Sequence, residues 1–173
     1  MKIVVVGTRG IPDIQGGVET HCEELYPRLA AMGHDVTVVR RSCYVTPQNK
    51  IKEYRGVHLK DIYAPRRKSI EAIVHTFLAI IYARWVGADV LHIHAIGPAL
   101  LTPLARLLGL RVVMTHHGPD YDRQKWNKTA KSVLRWGERM GANYANEVIV
   151  ISTVIDNILR EKYDRTDAHL IYN

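Results

Sequence analysis

Short apolar runs alternate along the chain with longer segments that are apolar on one side only. The first run, residues 3–6, is continuous and β-branched, as in a strand that is buried on both faces of a parallel sheet. The pattern predicts strands at residues 2–6, 35–40, 57–62, 89–93, 111–115, 147–151 and 169–172. It predicts helices between them, at residues 18–32, 69–85, 97–108, 127–143 and 153–163. Strands and helices in alternation indicate an α/β protein with a Rossmann-like parallel sheet and helices on both faces.

Glycine, serine and proline mark several boundaries of these elements. Gly33 and Gly109 each follow a helical segment and are expected to end it. Ser69 is the predicted N-cap of the helix that begins there. Pro27 lies inside the first helical pattern and is expected to kink that helix or to displace its start. Residues 42–56 have a mixed polar composition and are predicted to form a long loop.

The length of 173 residues fits one domain of ordinary size, which we place at residues 1–173. The two cysteines, Cys22 and Cys43, lack metal-ligand spacing and suit a reducing compartment. No signal peptide precedes the first strand, and no apolar segment is long enough to span a bilayer. These features predict a cytoplasmic location.

The net charge of +7 predicts a polyanionic partner or an anionic membrane surface. Nucleic acid is not expected, because the basic residues are dispersed and no helix-turn-helix or zinc-finger pattern occurs. The densest basic cluster, Arg66-Arg67-Lys68, is equally typical of a solvated loop. It directly precedes residues 69–85, which leave only a narrow polar face. A buried core helix explains these residues most simply, and a helix docked on a membrane surface is the alternative.

A glycine-rich loop follows the first strand and contains Gly7, Gly10, Gly16 and Gly17. Glycine permits backbone conformations closed to other residues and lets a ligand approach the peptide amides. The second glycine pair lies where the first helix begins, and the free amides and dipole of a helix N-terminus favour an anion. The loop therefore predicts a site for a phosphorylated ligand, although many α/β proteins use a few glycines for an ordinary turn here.

Two common phosphate-binding patterns are excluded. The dinucleotide fingerprint needs G-x-G-x-x-G and an acidic residue after the second strand, whereas this strand ends in Arg40-Arg41. An arginine there could accept a 2′-phosphate, but the glycine spacing still argues against a nicotinamide enzyme. No Gly-Lys-Ser/Thr follows the glycines, so the loop is not a P-loop.

Polar residues cluster where the later strands end, which is where open α/β sheets bind ligands. The candidates are His92 and His94, Thr115 to Gly118, and Ser152. We interpret His92 as a core histidine and expect a single exposed histidine from each strand end to bind a hydroxyl or phosphate, or to assist proton transfer. No metal site is expected, because His116 and His117 point to opposite faces and no acidic cluster completes a ligand set. The chain also lacks a G-x-S-x-G elbow and clearly paired strand-end carboxylates, which argues against a serine hydrolase and a double-displacement glycosidase.

With these motifs in view, the chain resembles the N-terminal, Rossmann-like half of a GT-B glycosyltransferase of the retaining family 4. The most specific part is the first loop, with G-T-R-G-I-P at residues 7–12 and G-G-x-E at residues 16–19. It resembles a subgroup that includes rhamnosyltransferase-like enzymes of capsule, exopolysaccharide or lipopolysaccharide assembly. Further similarity lies at residues 33–38, 89–94, 115–118 and 148–152, so that the resemblance spans nearly the whole chain.

The resemblance implies a nucleotide-sugar donor, a glycan or lipid-linked acceptor, and no metal or other cofactor. It implies that Gly16 and Gly17 contact the donor diphosphate, and that His117 contacts the transferred sugar or the reacting groups as the catalytic candidate. Arg9, His94 and Ser152 are further candidates for binding the donor phosphate or the acceptor. Family members continue after a residue like Asn173 into a second, donor-binding domain, without which this chain is expected to be inactive. A peripheral position on the inner face of the cytoplasmic membrane fits a lipid-linked acceptor.

Two other functions remain open on the sequence. One half of a nucleotide-sugar epimerase would also have a Rossmann-like fold, and such an enzyme converts a free nucleotide sugar without an acceptor. A stand-alone sugar- or nucleotide-binding module would bind its ligand saturably and show no turnover.

Overall fold

An eight-stranded sheet forms the centre of the protein. The structure is a computed structural model that describes residues 1–67, 70–124 and 126–173. The strands run in the spatial order β3-β4-β2-β1-β5-β6-β7-β8. The β3–β4 pair is antiparallel, and every other neighbouring pair is parallel. Their bounds are β1 Lys2–Val6, β2 Asp35–Arg41, β3 Glu53–Tyr54, β4 Val57–Ile62, β5 Val90–His94, β6 Val112–His116, β7 Glu147–Val150 and β8 His169–Leu170. The predicted Rossmann-like α/β fold is confirmed.

The helices connect these strands and agree with the predicted ones to within a few residues, with one exception. Their bounds are α1 Gly17–Ala31, α2 Glu71–Trp85, α3 Thr102–Leu107, α4 Lys128–Tyr144 and α5 Thr153–Tyr163. The exception is the predicted helix at 97–108, which divides into a 3-10 turn, Pro98–Leu101, and α3. Proline lacks the amide that a helix interior needs, so Pro103 takes a place in the first turn of α3.

The structure also tests the expectations about Pro27, the loop at residues 42–56 and the glycines that end helices. The helix α1 begins at Gly17 and continues through the buried Pro27, so the proline does not displace its start. The predicted loop at 42–56 contains a 3-10 turn, Ser42–Tyr44, and the short strand β3. The predicted N-cap Ser69, like Lys68 of the basic cluster, lies outside the described residues. Gly33 and Gly109 have positive φ angles and each follows the C-cap residue of its helix, α1 or α3, as expected of residues that end helices.

Two hydrophobic cores lie on the two faces of the sheet, because successive residues of each strand point to opposite sides. Val4 and Val6 of β1 join a large core with side chains from α2 to α5. Ile3 and Val5 join a smaller core with Cys22 and other residues of α1. Within the described residues, α1 is the one helix that packs on this second face.

The order of the parallel strands reverses between β1 and β5. The chain moves outward from β1 through β2 to β4 and then crosses back to β5 on the other side of β1. Loops that leave the carboxyl ends of β1 and β5 therefore run in opposite directions and leave a crevice between them. This crevice is the expected ligand position in an open α/β sheet.

The apolar sequence of α2 predicts a helix that is buried on nearly all sides, but only one side of it is buried. One side packs on the sheet through residues such as Ala79, Ile80 and Ala83. The other side exposes large apolar side chains, namely Ile70 just before the helix, Phe77, Ile81 and Trp85. None of the helices in the described parts of the chain is both long enough and apolar enough to cross a bilayer.

Candidate functional site

The glycine-rich loop lies directly against the end of β5. A Cβ atom on Gly7 would stand 2.2 Å from the carbonyl oxygen of His94, so only glycine fits this crossing. Gly16 is the N-cap of α1 with a φ of 150°, and Gly17 is the first helical residue. The structure thus places both glycines at a helix N-terminus beside the crevice, as the sequence predicts. Free amides there suit an anionic ligand.

Glu19 holds the two ends of this loop together. Its Oε1 accepts hydrogen bonds from the Thr8 hydroxyl at 3.2 Å and from the Arg9 amide at 2.8 Å. The carboxylate is nearly buried and also fills the space where a side chain on Gly16 would be. The glutamate of the G-G-x-E motif therefore has a structural role, because Glu19 connects the loop to the first turn of α1.

Arg9, a predicted phosphate-binding residue, lies beside Gly16. Its Nη1 donates to the Gln15 carbonyl at 3.0 Å, and its guanidinium lies 5.4 Å from the centre of the Tyr44 ring. A Cβ on Gly16 would be 3.7 Å from the same Nη1. The positive charge is therefore held next to the amides at the start of α1.

Two further cations beside the glycine loop, Arg40 and Arg41, are paired with groups of the protein itself. Arg40 is fully buried; its Nε donates to Asp61 at 2.7 Å and its Nη1 to the Asn49 carbonyl at 2.7 Å. Arg41 donates to Glu71 at 2.7 Å and to the Gly7 carbonyl at 3.1 Å. Both arginines brace the loops around the site, which argues further against their binding a 2′-phosphate.

A chain of hydrogen bonds runs through the centre of the sheet to His117. Thr115 Oγ1 is 2.7 Å from His92 Nε2, and the Tyr26 hydroxyl is 2.9 Å from His92 Nδ1. The same hydroxyl is hydrogen-bonded to His94 Nε2, and His94 Nδ1 is 2.8 Å from His117 Nε2. The Tyr26 hydroxyl has one proton, so it donates to one histidine and accepts from the other. Which nitrogen of His117 carries the proton therefore depends on whether the Thr115 hydroxyl donates or accepts at the other end of the chain.

The histidines in this chain are held neutral by their surroundings. Burial, followed by the neighbouring His21 and His116, lowers the pKa of His117 to about 4. Burial and the other histidines lower the pKa of His92 to about 3 and that of His94 well below its usual range. At neutral pH, His117 therefore offers a hydrogen-bond donor on one ring nitrogen and an acceptor on the other.

His116, the neighbour of His117, faces the opposite side of the sheet. It contacts the buried Glu138 of α4 at 2.8 Å and accepts a hydrogen bond from the Gly118 amide on its other nitrogen. Burial raises the pKa of Glu138, but hydrogen bonds from His116 and Tyr163 outweigh it and leave the pKa lowered. His116 is therefore a structural residue that fixes the turn after β6 and leaves His117 facing the crevice.

Ser152, the last of the predicted site residues, caps α5. Its hydroxyl accepts a hydrogen bond from the Ile155 amide at 3.3 Å. This contact gives it a structural role, which the sequence-based interpretation as a ligand-binding residue did not include.

The structure adds Tyr26 and His21 to the predicted site. Tyr26 bridges His92 and His94, while the His21 ring lies 5.2 Å from the ring of His117, centre to centre. Both residues belong to α1. The apolar spacing of this helix predicts its core residues but gives no indication of a role for Tyr26 or His21 in the site. The available signal was the four-residue separation of Cys22 and Tyr26, which places the tyrosine on the face that packs against the sheet.

In this α/β protein, a glycine loop and a neutral histidine border the crevice at the point where the strand order reverses. The sequence profile of the family described as Glycosyltransferase Family 4 matches residues 15–173. The chain therefore belongs to glycosyltransferase family 4, as an N-terminal glycosyltransferase domain with the Rossmann-like fold of GT-B enzymes. No curated protein sequence matches it.

Solved structures share this fold at low sequence identity. Sucrose-phosphate synthase from Thermosynechococcus elongatus is 20% identical, with a TM-score of 0.73, over 98% of this chain and 46% of that chain. Anabaena Alr3699/HepE, solved with UDP and glucose, is 12% identical, with a TM-score of 0.68, over 99% and 44%. Phytolacca americana UGT2, solved with UDP-2-fluoro-glucose and pterostilbene, is 11% identical, with a TM-score of 0.58, over 98% and 52%. The chain thus spans about half the length of these proteins.

Proposed function

We propose that this chain is the acceptor-side domain of a retaining glycosyltransferase that moves a sugar from a nucleotide-sugar donor to a glycan or lipid-linked acceptor. The observation that carries the proposal is the meeting of the glycine loop, Arg9 and His117 at one crevice in a chain of family 4. Nucleotide-sugar donors are supported by the UDP and UDP-sugar ligands of two structures with the same fold. The first-loop motif favours a rhamnosyltransferase-like subgroup that acts in bacterial surface polysaccharide synthesis.

In this proposal the loop and Arg9 bind the diphosphate of the donor. Negative charge grows on the leaving phosphate as the sugar departs, and amides aimed at that charge stabilise the transition state more than the ground state. Gly16 and Gly17 present such amides, and the guanidinium of Arg9 adds a positive charge next to them. Transfer then needs no metal ion or other cofactor.

His117 contacts the transferred sugar or the reacting hydroxyl. Its low pKa keeps the imidazole neutral at physiological pH, which suits hydrogen bonding to a sugar hydroxyl. His94 holds His117 in place from the buried side, at 2.8 Å, and therefore acts as a positioning residue in the proposed site.

A second α/β domain completes the proposed enzyme and supplies most contacts to the nucleotide. The continuation of the coding region after Asn173 tests this directly. We expect glycine next, followed by a second α/β half with two glutamates about eight residues apart. A continuation without such a half would contradict the proposal and favour a stand-alone binding module.

Transfer by the full-length protein is the decisive measurement. We expect acceptor-dependent release of a nucleoside diphosphate from one of a panel of UDP-, GDP- and dTDP-sugars. His117→Ala should lower kcat by about 100-fold or more, since a positioned hydrogen-bonding group contributes on that scale. His58→Ala, an exposed histidine of β4, is the matched control and should leave kcat unchanged. Conversion of a free nucleotide sugar without any acceptor would instead identify an epimerase.

The exposed side of α2 supports binding to the inner face of the cytoplasmic membrane. Phe77, Ile81 and Trp85 form an apolar stripe, and Trp85 is 81% exposed. Arg66 and Arg67, both exposed, precede the helix and could meet anionic headgroups. Such a position would bring the site close to a lipid-linked acceptor.

Flotation with phosphatidylglycerol-containing vesicles tests this membrane contact. Changing Arg66, Arg67 and Lys68 together to glutamine, or Phe77 and Trp85 to serine, should abolish flotation with the vesicles. The matched control replaces Lys50, Lys52 and Arg55 with glutamine and removes the same charge elsewhere. Equal flotation of all variants would contradict membrane binding through α2.

A further inference from the structure

Three histidines from separate elements converge at the crevice. His21 belongs to α1, His94 ends β5 and His117 follows β6. One nitrogen of each ring lies within 4.8 Å of the nitrogens of the other two. Among the described residues this is the one group of three or more such side chains close enough to share an ion. The sequence indicates only the pairs His92 with His94 and His116 with His117, so the tertiary structure alone creates this group.

In one of the two directions open to the hydrogen-bond chain, His94 directs a lone pair into the group. When His94 Nε2 carries its proton and donates to Tyr26, its Nδ1 is an acceptor facing His117. Hydrogen bonds of this kind to the outer nitrogen orient metal-binding histidines and fix their tautomer.

We propose that His21, His94 and His117 bind one divalent first-row transition ion, with Zn²⁺ as the best fit. Three imidazoles and an open fourth position are an established zinc ligand set, whereas Mg²⁺ and Ca²⁺ prefer oxygen ligands. His21 and His117 are partly exposed, so an ion can enter and keep a water molecule.

The geometry needs only a small adjustment. With Zn–N bonds of about 2.0–2.1 Å, two tetrahedral ligands stand roughly 3.3 Å apart. His94 Nδ1 and His117 Nε2 are 2.8 Å apart, so they must separate by a few tenths of an ångström. His117 moves its single ring proton to Nδ1 through solvent, and the ion takes the place of the proton between the two rings. No net proton is released.

The ion would act as an inhibitor, because it occupies the nitrogen of His117 and the space beside it. This consequence rests on the proposed function, whereas the binding does not. In the full-length enzyme, Zn²⁺ should suppress transfer at concentrations that saturate the site, and His21→Ala should relieve the suppression. Equal suppression of both proteins would show that zinc acts elsewhere.

Binding is measured on the 173-residue chain itself, without any transfer assay. Titration with Co²⁺ should produce the strong visible absorption of a four-coordinate ion at one equivalent, and Zn²⁺ should displace it. Calorimetric titration with Zn²⁺ should give a dissociation constant that His21→Ala and His117→Ala each weaken by about 100-fold or more. Circular dichroism confirms that each variant remains folded.

The matched control is His58→Ala. His58 is exposed and lies 3.8 Å from Asp35 and 3.9 Å from Glu53, which makes it the natural competitor for adventitious ions. The His58→Ala variant should bind Zn²⁺ with unchanged affinity. Absence of one-to-one binding, loss of binding in His58→Ala, or undiminished binding in His21→Ala would each overturn the proposal.

Discussion

Tyr26 is the residue on which the buried histidines depend most. Its hydroxyl is buried between the side chains of His92 and His94, which are themselves buried. A buried nitrogen that loses its hydrogen-bond partner costs about 1–3 kcal/mol, more than the net gain from an average hydrogen bond. Tyr26 therefore contributes to the stability of the fold and, through His94, helps to determine which nitrogen of His117 carries the proton.

Tyr26→Phe should lower the free energy of unfolding by about 2 kcal/mol, because it removes one hydroxyl and leaves two ring nitrogens unpaired. Urea denaturation measures this change. The imidazole ¹⁵N chemical shifts of His94 and His117 provide a second measurement and should change toward a mixture of tautomers. Tyr54→Phe is the control, since its hydroxyl donates to Glu23 at a half-exposed position. It should cost under about 1 kcal/mol, and a similar loss in both variants would contradict the importance of Tyr26.

At the scale of elements, the joint between the glycine loop and α1 depends on a single carboxylate. Glu19 accepts from both Thr8 and Arg9, and these contacts close the loop against the first turn of the helix. A charged acceptor strengthens such hydrogen bonds to about 1.5–3 kcal/mol. The loop conformation that the proposed diphosphate site requires therefore exists before any ligand binds.

Glu19→Ala should release this loop while leaving the sheet intact. We expect amide hydrogen exchange of residues 8–16 to accelerate and unfolding stability to fall by about 2 kcal/mol. Glu24→Ala on the same helix is the control, because its ion pair with Arg28 is exposed. Such a pair contributes about 0.5 kcal/mol or less. Unchanged exchange in residues 8–16 of Glu19→Ala would show that the loop is held by other contacts.

The packing of α4 on the turn Pro98–Leu101 depends on a glycine in the helix. A Cβ on Gly137 would stand 1.9 Å from the carbonyl oxygen of Ile96, so the backbones touch. Gly137→Ala gains up to about 1 kcal/mol of helix propensity but forces α4 away from the turn, which costs about 1–3 kcal/mol or more. The net effect should be destabilising in thermal unfolding. Gly17→Ala at the open start of α1 should not destabilise, and equal effects of the two would contradict this packing argument.

At the scale of the whole molecule, the two faces of the sheet are covered unequally. Four of the named helices pack on one face, and the other face carries α1 together with an open groove lined by Ile3, Val90, Val113 and Ile149. The reason lies in the connections that follow β5, β6 and β7, which place α3, α4 and α5 on the opposite face, so that among the described residues no helix covers this part of the sheet.

Global stability should fall at acidic pH because histidines are buried in the neutral form. Burial and the nearby Arg41 outweigh a backbone hydrogen bond and lower the pKa of His75 to about 4. Its contribution is complete above pH 6.5 and is lost as pH falls toward 4, where the unfolded chain binds a proton that the folded chain does not. The loss approaches about 3 kcal/mol.

His75→Gln tests this dependence by removing the titrating group and keeping a polar side chain. The difference in unfolding free energy between pH 7 and pH 4 should be smaller in this variant by up to about 3 kcal/mol. Denaturant titrations at several pH values measure it. His58→Gln replaces an exposed histidine and should keep the acid dependence of the original chain. A slope that is identical in all three proteins would exclude His75 as a source of acid sensitivity.

The fold class, the places of most strands and helices, and the glycine-rich loop after β1 can all be predicted from the sequence. These features depend on local rules: β-branched runs form strands, apolar spacing forms helices, and glycine permits the turn from β1 into α1. The position of His117 at the crevice could also be predicted, because the carboxyl ends of parallel strands meet at one edge.

Which side chains contact one another depends on the tertiary structure. Tyr26 is 66 residues from His92 and 68 from His94 along the chain, and their contacts depend on the packing of α1 against β5. The same packing brings His21 to His117, assigns Arg40 to Asp61 and exposes one side of α2. Local pattern predicts an element and its buried face, but a contact between distant elements depends on how their surfaces fit, which no short stretch of sequence contains.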